Sequence, residues 1–184
     1  MYRDHNCGEL TIKNVGEKVT IAGWVQRIRN LGSMIFIDLR DQFGITQIVV
    51  SADNKEKLEN VVSECVIQVV GTVVERSNKN TKILTGEIEV EAQEIEILGK
   101  CKNVLPFEVN SEKTGEVKED LRLEYRFLDL RNDKLHKTIL LRSEVMKTIR
   151  KKMDELGFTE IQTPILANSS PEGARDYLVP SRLH

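Results

Sequence analysis

Long apolar segments are missing from this sequence. No hydrophobic run approaches the roughly 20 residues that a membrane-spanning helix needs, and the opening MYRDHNCGEL lacks the apolar core of a signal peptide. Cysteine is scarce too: Cys7, Cys65 and Cys101 are an odd number, and their spacing is not that of a metal site. These absences predict reduced thiols in a reducing compartment, a cytoplasmic protein, no membrane partner and no metal bound by the chain.

A strong excess of charge of either sign is also lacking. The 184 residues include 27 Lys and Arg against 29 Asp and Glu, a formal net charge of −2. This balance does not by itself predict nucleic-acid binding, yet a local basic face can bind RNA on a weakly acidic protein. With 40% hydrophobic residues, the composition is typical of one or two soluble domains with hydrophobic cores.

The first hundred residues are rich in β-forming segments separated by short connections that contain glycine. Between the third and fourth segments, Asn54–Glu64 predicts a short helix, with Asn54 as N-cap and with Leu58, Val61 and Val62 on one face. Three strands, a helix and two strands is the order of a five-stranded OB-fold barrel, although a generic small β-barrel gives a similar pattern. The predicted strands are Val19–Asn30, Ser33–Asp41, Ile45–Ser51, Cys65–Arg76 and Gly86–Leu98.

The pattern changes after the last predicted strand. Residues 99–120 are charged and show little periodicity, which indicates a hinge. Asp120–Asp133 then predicts a short helix, and Leu135–Gly157 predicts a long amphipathic one that ends at Gly157. Phe158–Leu166 predicts a strand interrupted by Pro164. Taken alone, the long helix is typical of an ordinary core helix.

The second predicted strand places an aromatic residue away from the core. In SMIFIDLRD, Ile35, Ile37 and Leu39 share one face, which leaves Phe36 on the other face with Met34 and Asp38. An exposed Phe on a strand can stack on an unpaired base. The alternative is a Phe covered by a neighbouring loop.

Several stretches resemble one known family. GFTEIQTPIL after the long helix resembles motif 1 of class II aminoacyl-tRNA synthetases, and PEGARDYLVPSR resembles the substrate-closing loop of the bacterial-type aspartyl-tRNA synthetases. YRFLDLRND, GWVQRIRNLGSMIFIDLRD and TGEIEV agree with the same family. The resemblance implies an OB-fold anticodon-binding domain at 1–100, a hinge at 101–120, and the truncated start of an α+β catalytic domain at 121–184. Motifs 2 and 3, which hold ATP in that family, are not in the sequence, so we expect an N-terminal fragment.

The resemblance also implies an anticodon surface for the aspartate tRNA. Gln47 shares its parity with Ile45 and Val49, so its exposure stays open; Asn80 has the alternative of a turn residue. For the charged members the alternative is an ordinary solvated surface. The implied anticodon residues are Arg29, Leu31, Phe36, Gln47, Asn80 and Glu89.

For the catalytic part, the resemblance implies an aspartate–tRNA ligase that uses ATP and Mg²⁺ to form aspartyl-adenylate. Glu172 is implied to meet the ammonium group of L-aspartate, and Pro164 to lie at a homodimer interface. No catalytic residue is expected within this chain, and no cofactor is expected to bind to it, so it should be inactive alone. Two alternatives remain: a stand-alone tRNA or single-strand nucleic-acid-binding module, and a structural dimerisation fragment.

Overall fold

A computed structural model describes residues 2–51, 56, 58–102, 104–110, 117–166 and 179–180. The chain divides into two units, Met1–Tyr125 and Arg126–His184. The first unit holds the five strands and the second holds the long helix. Within the described residues, none of the helices has the length and apolar character to cross a membrane.

The five strands of the first unit close into a barrel in the order β1-β2-β3-β5-β4. All neighbouring strands are antiparallel except β3 and β5, which are parallel. The predicted strands are confirmed, and each observed end lies within two residues of its predicted position. The observed strands are β1 Lys18–Asn30, β2 Met34–Arg40, β3 Ile45–Ser51, β4 Val66–Glu75 and β5 Ile88–Gly99.

The core fills the barrel with alternate side chains from every strand. On β2, Ile35, Ile37 and Leu39 are 4%, 0% and 0% exposed, as the alternation predicted. Ile21 on β1 and Ile67 on β4 are also completely buried. Full burial of such a side chain contributes about 1.5–3 kcal/mol, so this alternation determines which face of each strand points inward.

Two glycines allow the backbone to take the shape that the barrel requires. At Gly71, where the β4–β5 register shifts, a Cβ atom would lie 2.3 Å from the carbonyl oxygen of Glu91. Gly32 has φ +80° in the connection between β1 and β2, a conformation that residues with a Cβ rarely adopt. Gly32 thereby allows the tight reversal that brings the end of β1 beside the start of β2.

The prediction of a helix over Asn54–Glu64 is wrong for residues 58–64, which the structure describes and which form no α-helix. Leu58 is in a 3-10 turn, residues 59–60 and 63–64 form turns, and Asn54 lies outside the described residues. Leu58 and Val61 are buried as predicted, but Val62 is 51% exposed. Glu64 has φ 66° and donates its N–H to the Val25 carbonyl at 2.7 Å. This anchoring to β1 stops a helix from continuing into β4.

Between the barrel and the long helix, the predicted single helix is divided in two. Helix α1 spans Glu119–Glu124 and helix α2 spans Arg126–Asp129. Tyr125 between them has φ −106° and ψ 46°, which is outside the helical region. The break is therefore a backbone feature that apolar spacing does not reveal.

The long helix α3 spans Asp133–Glu155, and both of its ends are capped. The Asn132 side chain accepts hydrogen bonds from the N–H groups of Lys134 and Leu135 at 3.1 and 3.2 Å. At the other end, Gly157 has φ 82°, and the Phe158 N–H bonds to the Met153 carbonyl at 3.1 Å. This is a Schellman ending, so the predicted glycine stop is confirmed.

The strand predicted over Phe158–Leu166 is not formed: no residue of this segment has strand pairing. Ile161 and Ile165 are 77% and 100% exposed. A strand is defined by its hydrogen-bonded neighbour, and the described part of the second unit contains no other strand. Pro164 is exposed in this segment.

Candidate nucleic-acid interface

The outer face of the barrel carries one aromatic ring beside a group of polar side chains. Phe36 is half-buried on the face of β2 opposite Ile35 and Ile37. Its neighbours across the sheet are Arg29 on β1 and Val49 on β3. The predicted placement of Phe36 outside the core is confirmed, and part of its surface is accessible to a stacking partner.

Gln47 lies at the centre of the polar group and is only 4% exposed. Its Oε1 accepts hydrogen bonds from Arg29 Nη2 at 3.2 Å and from Arg76 Nη2 at 2.5 Å. Its Nε2 donates to Glu89 Oε2 at 2.8 Å. The amide oxygen therefore faces two donors and the amide nitrogen faces an acceptor, which fixes the orientation of the amide.

Asp38 completes the group by accepting a hydrogen bond from Arg29 Nη2 at 2.7 Å. Asp38 lies directly across from Gln47 in the β2–β3 pairing. We call Arg29, Asp38, Gln47, Arg76 and Glu89 the outer network. Its two guanidinium groups and two carboxylates balance in charge, so it is suited to hydrogen-bonding base edges more than to attracting phosphates.

The structure brings together four of the six predicted anticodon residues. Arg29, Gln47 and Glu89 belong to the outer network, and Phe36 pairs with Arg29 across the sheet. Leu31 is 69% exposed in the connection between β1 and β2, two residues after Arg29 in the sequence. This arrangement joins an apolar edge, an aromatic ring and a hydrogen-bonding group on one surface.

Asn80 has a different environment. It lies in the connection between β4 and β5, where its N–H bonds to the Gly86 carbonyl at 2.9 Å. Its Oδ1 accepts from the Lys82 N–H at 3.0 Å. These bonds are those of a turn residue, and no hydrogen bond joins Asn80 to the outer network within the part of the chain that the structure describes.

Sequence reasoning did not select Arg76 or Asp38. Arg76 follows directly after β4, and its Nη1 is buried without a hydrogen-bond partner among the described residues. A buried donor without a partner is costly, so a ligand that supplies an acceptor at this point would be stabilised. The available signal was the pairing of β4 with β5, which brings the end of β4 close to Glu89.

A cavity of about 780 Å³ opens elsewhere in the first unit. Its lining comes from residues 26–28 in the second half of β1, the turn before β4, and residues 101–102, 104–105 and 107–110. None of the six predicted anticodon residues lines it. The candidate interface on the outer face is therefore separate from this cavity.

Two residues are implied for the catalytic part, Glu172 and Pro164. Glu172 lies outside the described residues. Pro164 is exposed.

Two family profiles match the chain in succession. Residues 19–98 match the OB-fold nucleic acid binding domain, and residues 118–184 match the class II tRNA synthetases for D, K and N. The first match covers the observed barrel, so the OB-fold predicted from the strand order is confirmed.

Curated relatives match the whole chain at about 50% sequence identity. The aspartate–tRNA(Asp/Asn) ligase of Rickettsia prowazekii is 53% identical over 188 residues, covering 100% of this chain and 31% of the relative. The aspartate–tRNA ligase of Streptomyces avermitilis is 51% identical over 187 residues, with the same coverage of both chains. The chain thus spans about a third of the length of the curated relatives that it matches.

Among solved structures, the asparaginyl-tRNA synthetase of Pyrococcus horikoshii in complex with asparaginyl-adenylate has a TM-score of 0.78. It is 27% identical, and the match covers 94% of this chain and 39% of that one. The shared architecture agrees with an OB-fold followed by the start of a class II catalytic domain.

Proposed function

We propose, from the premise that this chain belongs to the aspartyl-tRNA synthetase family, that its barrel recognises the anticodon of the aspartate tRNA. The single observation that carries this proposal is the position of Phe36 on the outer face, beside the outer network. Stacking on a ring tolerates any base, whereas the fixed hydrogen-bonding groups beside it select one.

Recognition on this face is proposed to proceed in two parts. An unpaired anticodon base stacks on Phe36, and the oriented amide of Gln47 and the guanidinium of Arg29 read the edge of that base or of its neighbour. Glu89 accepts from an exocyclic amine, and Leu31 supplies apolar contact at the end of the face. Asn80 is proposed as a peripheral contact, since its side chain already stabilises a turn.

The domain limits and the remaining partners also belong to this proposal. Residues 1–100 form the anticodon domain, 101–120 the hinge and 121–184 the start of the catalytic domain. In a full-length enzyme carrying this sequence, Glu172 binds the ammonium group of L-aspartate and Pro164 lies at the homodimer interface. We place that enzyme in the cytoplasm.

ATP and Mg²⁺ belong to the full-length enzyme in this proposal. In the family the groups that hold ATP lie in motifs 2 and 3, and neither motif is in this sequence. When bound, ATP and Mg²⁺ supply an activated phosphoryl centre for attack by the aspartate carboxylate. This chain supplies the anticodon surface and the carboxylate of Glu172, so we expect it to bind tRNA.

A titration with hairpin RNA tests the anticodon assignment. The 184-residue chain is titrated against a hairpin that presents the anticodon for aspartate codons, and against three hairpins that differ only in the middle base. We expect the cognate hairpin to bind more tightly by about tenfold or more, as loss of one good base contact implies. Binding should also weaken as salt rises. Equal affinity for all four hairpins would refute the assignment.

A further inference from the structure

We infer that Asp38 is a specificity-determining residue that positions Arg29, an inference that rests on the proposed function. Arg29 Nη2 is 2.7 Å from Asp38 Oδ1 and 3.2 Å from Gln47 Oε1. One nitrogen thus donates to two acceptors that face each other across β2 and β3. The guanidinium is held in a single orientation before any RNA arrives.

The Asp38 carboxylate lies where a negative charge weakens the binding of RNA. Asp38 lies on the face that is proposed to meet a polyanion, and its side chain is 21% exposed. A negative charge there repels every RNA alike and lowers affinity for all of them. Its contribution must therefore be sought in discrimination between RNAs, which depends on differences in affinity and not on affinity itself.

Holding Arg29 in place provides that discrimination. The guanidinium is planar, and its remaining N–H groups point in directions set by the bonds from Nη2 to Asp38 and Gln47, of which the bond to Asp38 is the shorter. A base whose acceptors match those directions binds without disturbing the network. A base that does not match must turn Arg29 and break a charge-assisted hydrogen bond. Asp38 thus acts through Arg29 and needs no contact with RNA.

The test compares two variants that remove the same charge. Asp38→Asn keeps the shape of the side chain but removes the charge that pins Arg29. The matched control is Glu91→Gln: Glu91 is exposed on β5, pairs with Val49, and has no hydrogen bond or ion pair to the outer network among the described residues. Thermal melting confirms that both variants fold. Each is titrated against the aspartate anticodon hairpin and its three middle-base variants.

We expect Glu91→Gln to bind all four hairpins slightly more tightly at low salt, and Asp38→Asn to bind the cognate hairpin slightly more tightly, because each variant loses one negative charge. Only Asp38→Asn should also bind the three non-cognate hairpins about tenfold more tightly and so lower the ratio of cognate to non-cognate affinity, since a neutral hydrogen bond to Asn restrains Arg29 less than the charge-assisted one. An unchanged ratio in Asp38→Asn, or an equal fall in Glu91→Gln, would overturn the inference.

A second measurement is independent of RNA. In NMR spectra of the wild-type chain, rotation of the Arg29 guanidinium should be slow enough to resolve separate Nη signals, and in Asp38→Asn it should become fast. Equal rotation rates would overturn the inference even if RNA binding changed. If the wild-type chain does not discriminate among the hairpins, the proposed function fails, and the claim that Asp38 determines specificity is overturned with it.

Discussion

Replacing Phe36 by alanine tests the aromatic part of the interface directly. Phe36 is half-buried on the outer face, so its truncation should cost about 1–2 kcal/mol of folding free energy, less than the roughly 3–5 kcal/mol for a core phenylalanine. A domain of ordinary stability stays folded after such a loss. Any large change in RNA affinity therefore reflects the lost contact and not unfolding.

The expected loss of affinity follows from the energy of base stacking. Truncating a stacking aromatic costs about 1–3 kcal/mol per base, which corresponds to a roughly 5- to 150-fold increase in Kd. Fluorescence anisotropy with a labelled anticodon hairpin measures this range. Phe36→Tyr keeps the ring and should bind within about threefold of wild type.

Phe43→Ala provides the matched control. Like Phe36, Phe43 lies outside the core, but it is 51% exposed and lies in the connection between β2 and β3, where the centre of its ring is 5.8 Å from the Arg3 guanidinium. Its removal should leave Kd unchanged. If Phe36→Ala also leaves Kd within twofold of wild type, or if both variants weaken binding equally, the argument for a stacking surface on β2 is wrong.

Three other predictions concern stability and the catalytic part. Arg40 and Glu64 form an ion pair at 2.9 Å with side chains 6% and 7% exposed. Arg40→Ala should cost about 3–5 kcal/mol in urea unfolding, because the buried Glu64 carboxylate would lose the cation of this pair. A loss below about 1 kcal/mol would contradict this. Burial raises the pKa of the Cys7 thiol above its ordinary value of 9.0. The native state then holds a proton that the unfolded state releases, so this stabilisation is present below about pH 9 and is lost as pH rises further. Cys7 should therefore resist alkylation at pH 8. If mass spectrometry shows that Cys7 is alkylated as fast in the folded protein as in the urea-unfolded protein, this prediction is wrong. In a full-length enzyme carrying this sequence, Glu172→Ala should strongly raise the aspartate KM in pyrophosphate exchange, and an unchanged KM would exclude the proposed contact.

The strands and their inward faces were predictable because both depend on the alternation of apolar and polar residues within a short stretch of sequence. Ile35, Ile37 and Leu39 repeat at period two, and burial of such side chains determines register. The segment Asn54–Glu64 was predicted wrongly for a related reason. Leu58 and Val61 are three residues apart, and that spacing suits a 3-10 turn over the core as well as a helix.

The outer network was only partly predictable because its members come from distant parts of the sequence. Gln47 and Glu89 are 42 residues apart, and Arg76 and Gln47 are 29 apart. Parity alone left the exposure of Gln47 open. The structure shows that an outward side chain can still be buried, because the long side chains of neighbouring strands cover it.

The closure of the barrel has a consequence for its motions. β3 and β5 pair only at Ile48↔Val90 and Val49↔Glu91, whereas β1 and β4 pair at seven positions. Backbone amides at this short junction should exchange with deuterium earlier than those between β1 and β4, because fewer bonds must open. The side-chain bond from Gln47 to Glu89 crosses the same junction. A hairpin RNA that binds Gln47 and Glu89 should therefore slow deuterium exchange at the β3–β5 junction before it does so elsewhere. The exchange rate of these amides would then measure how much of the protein has RNA bound.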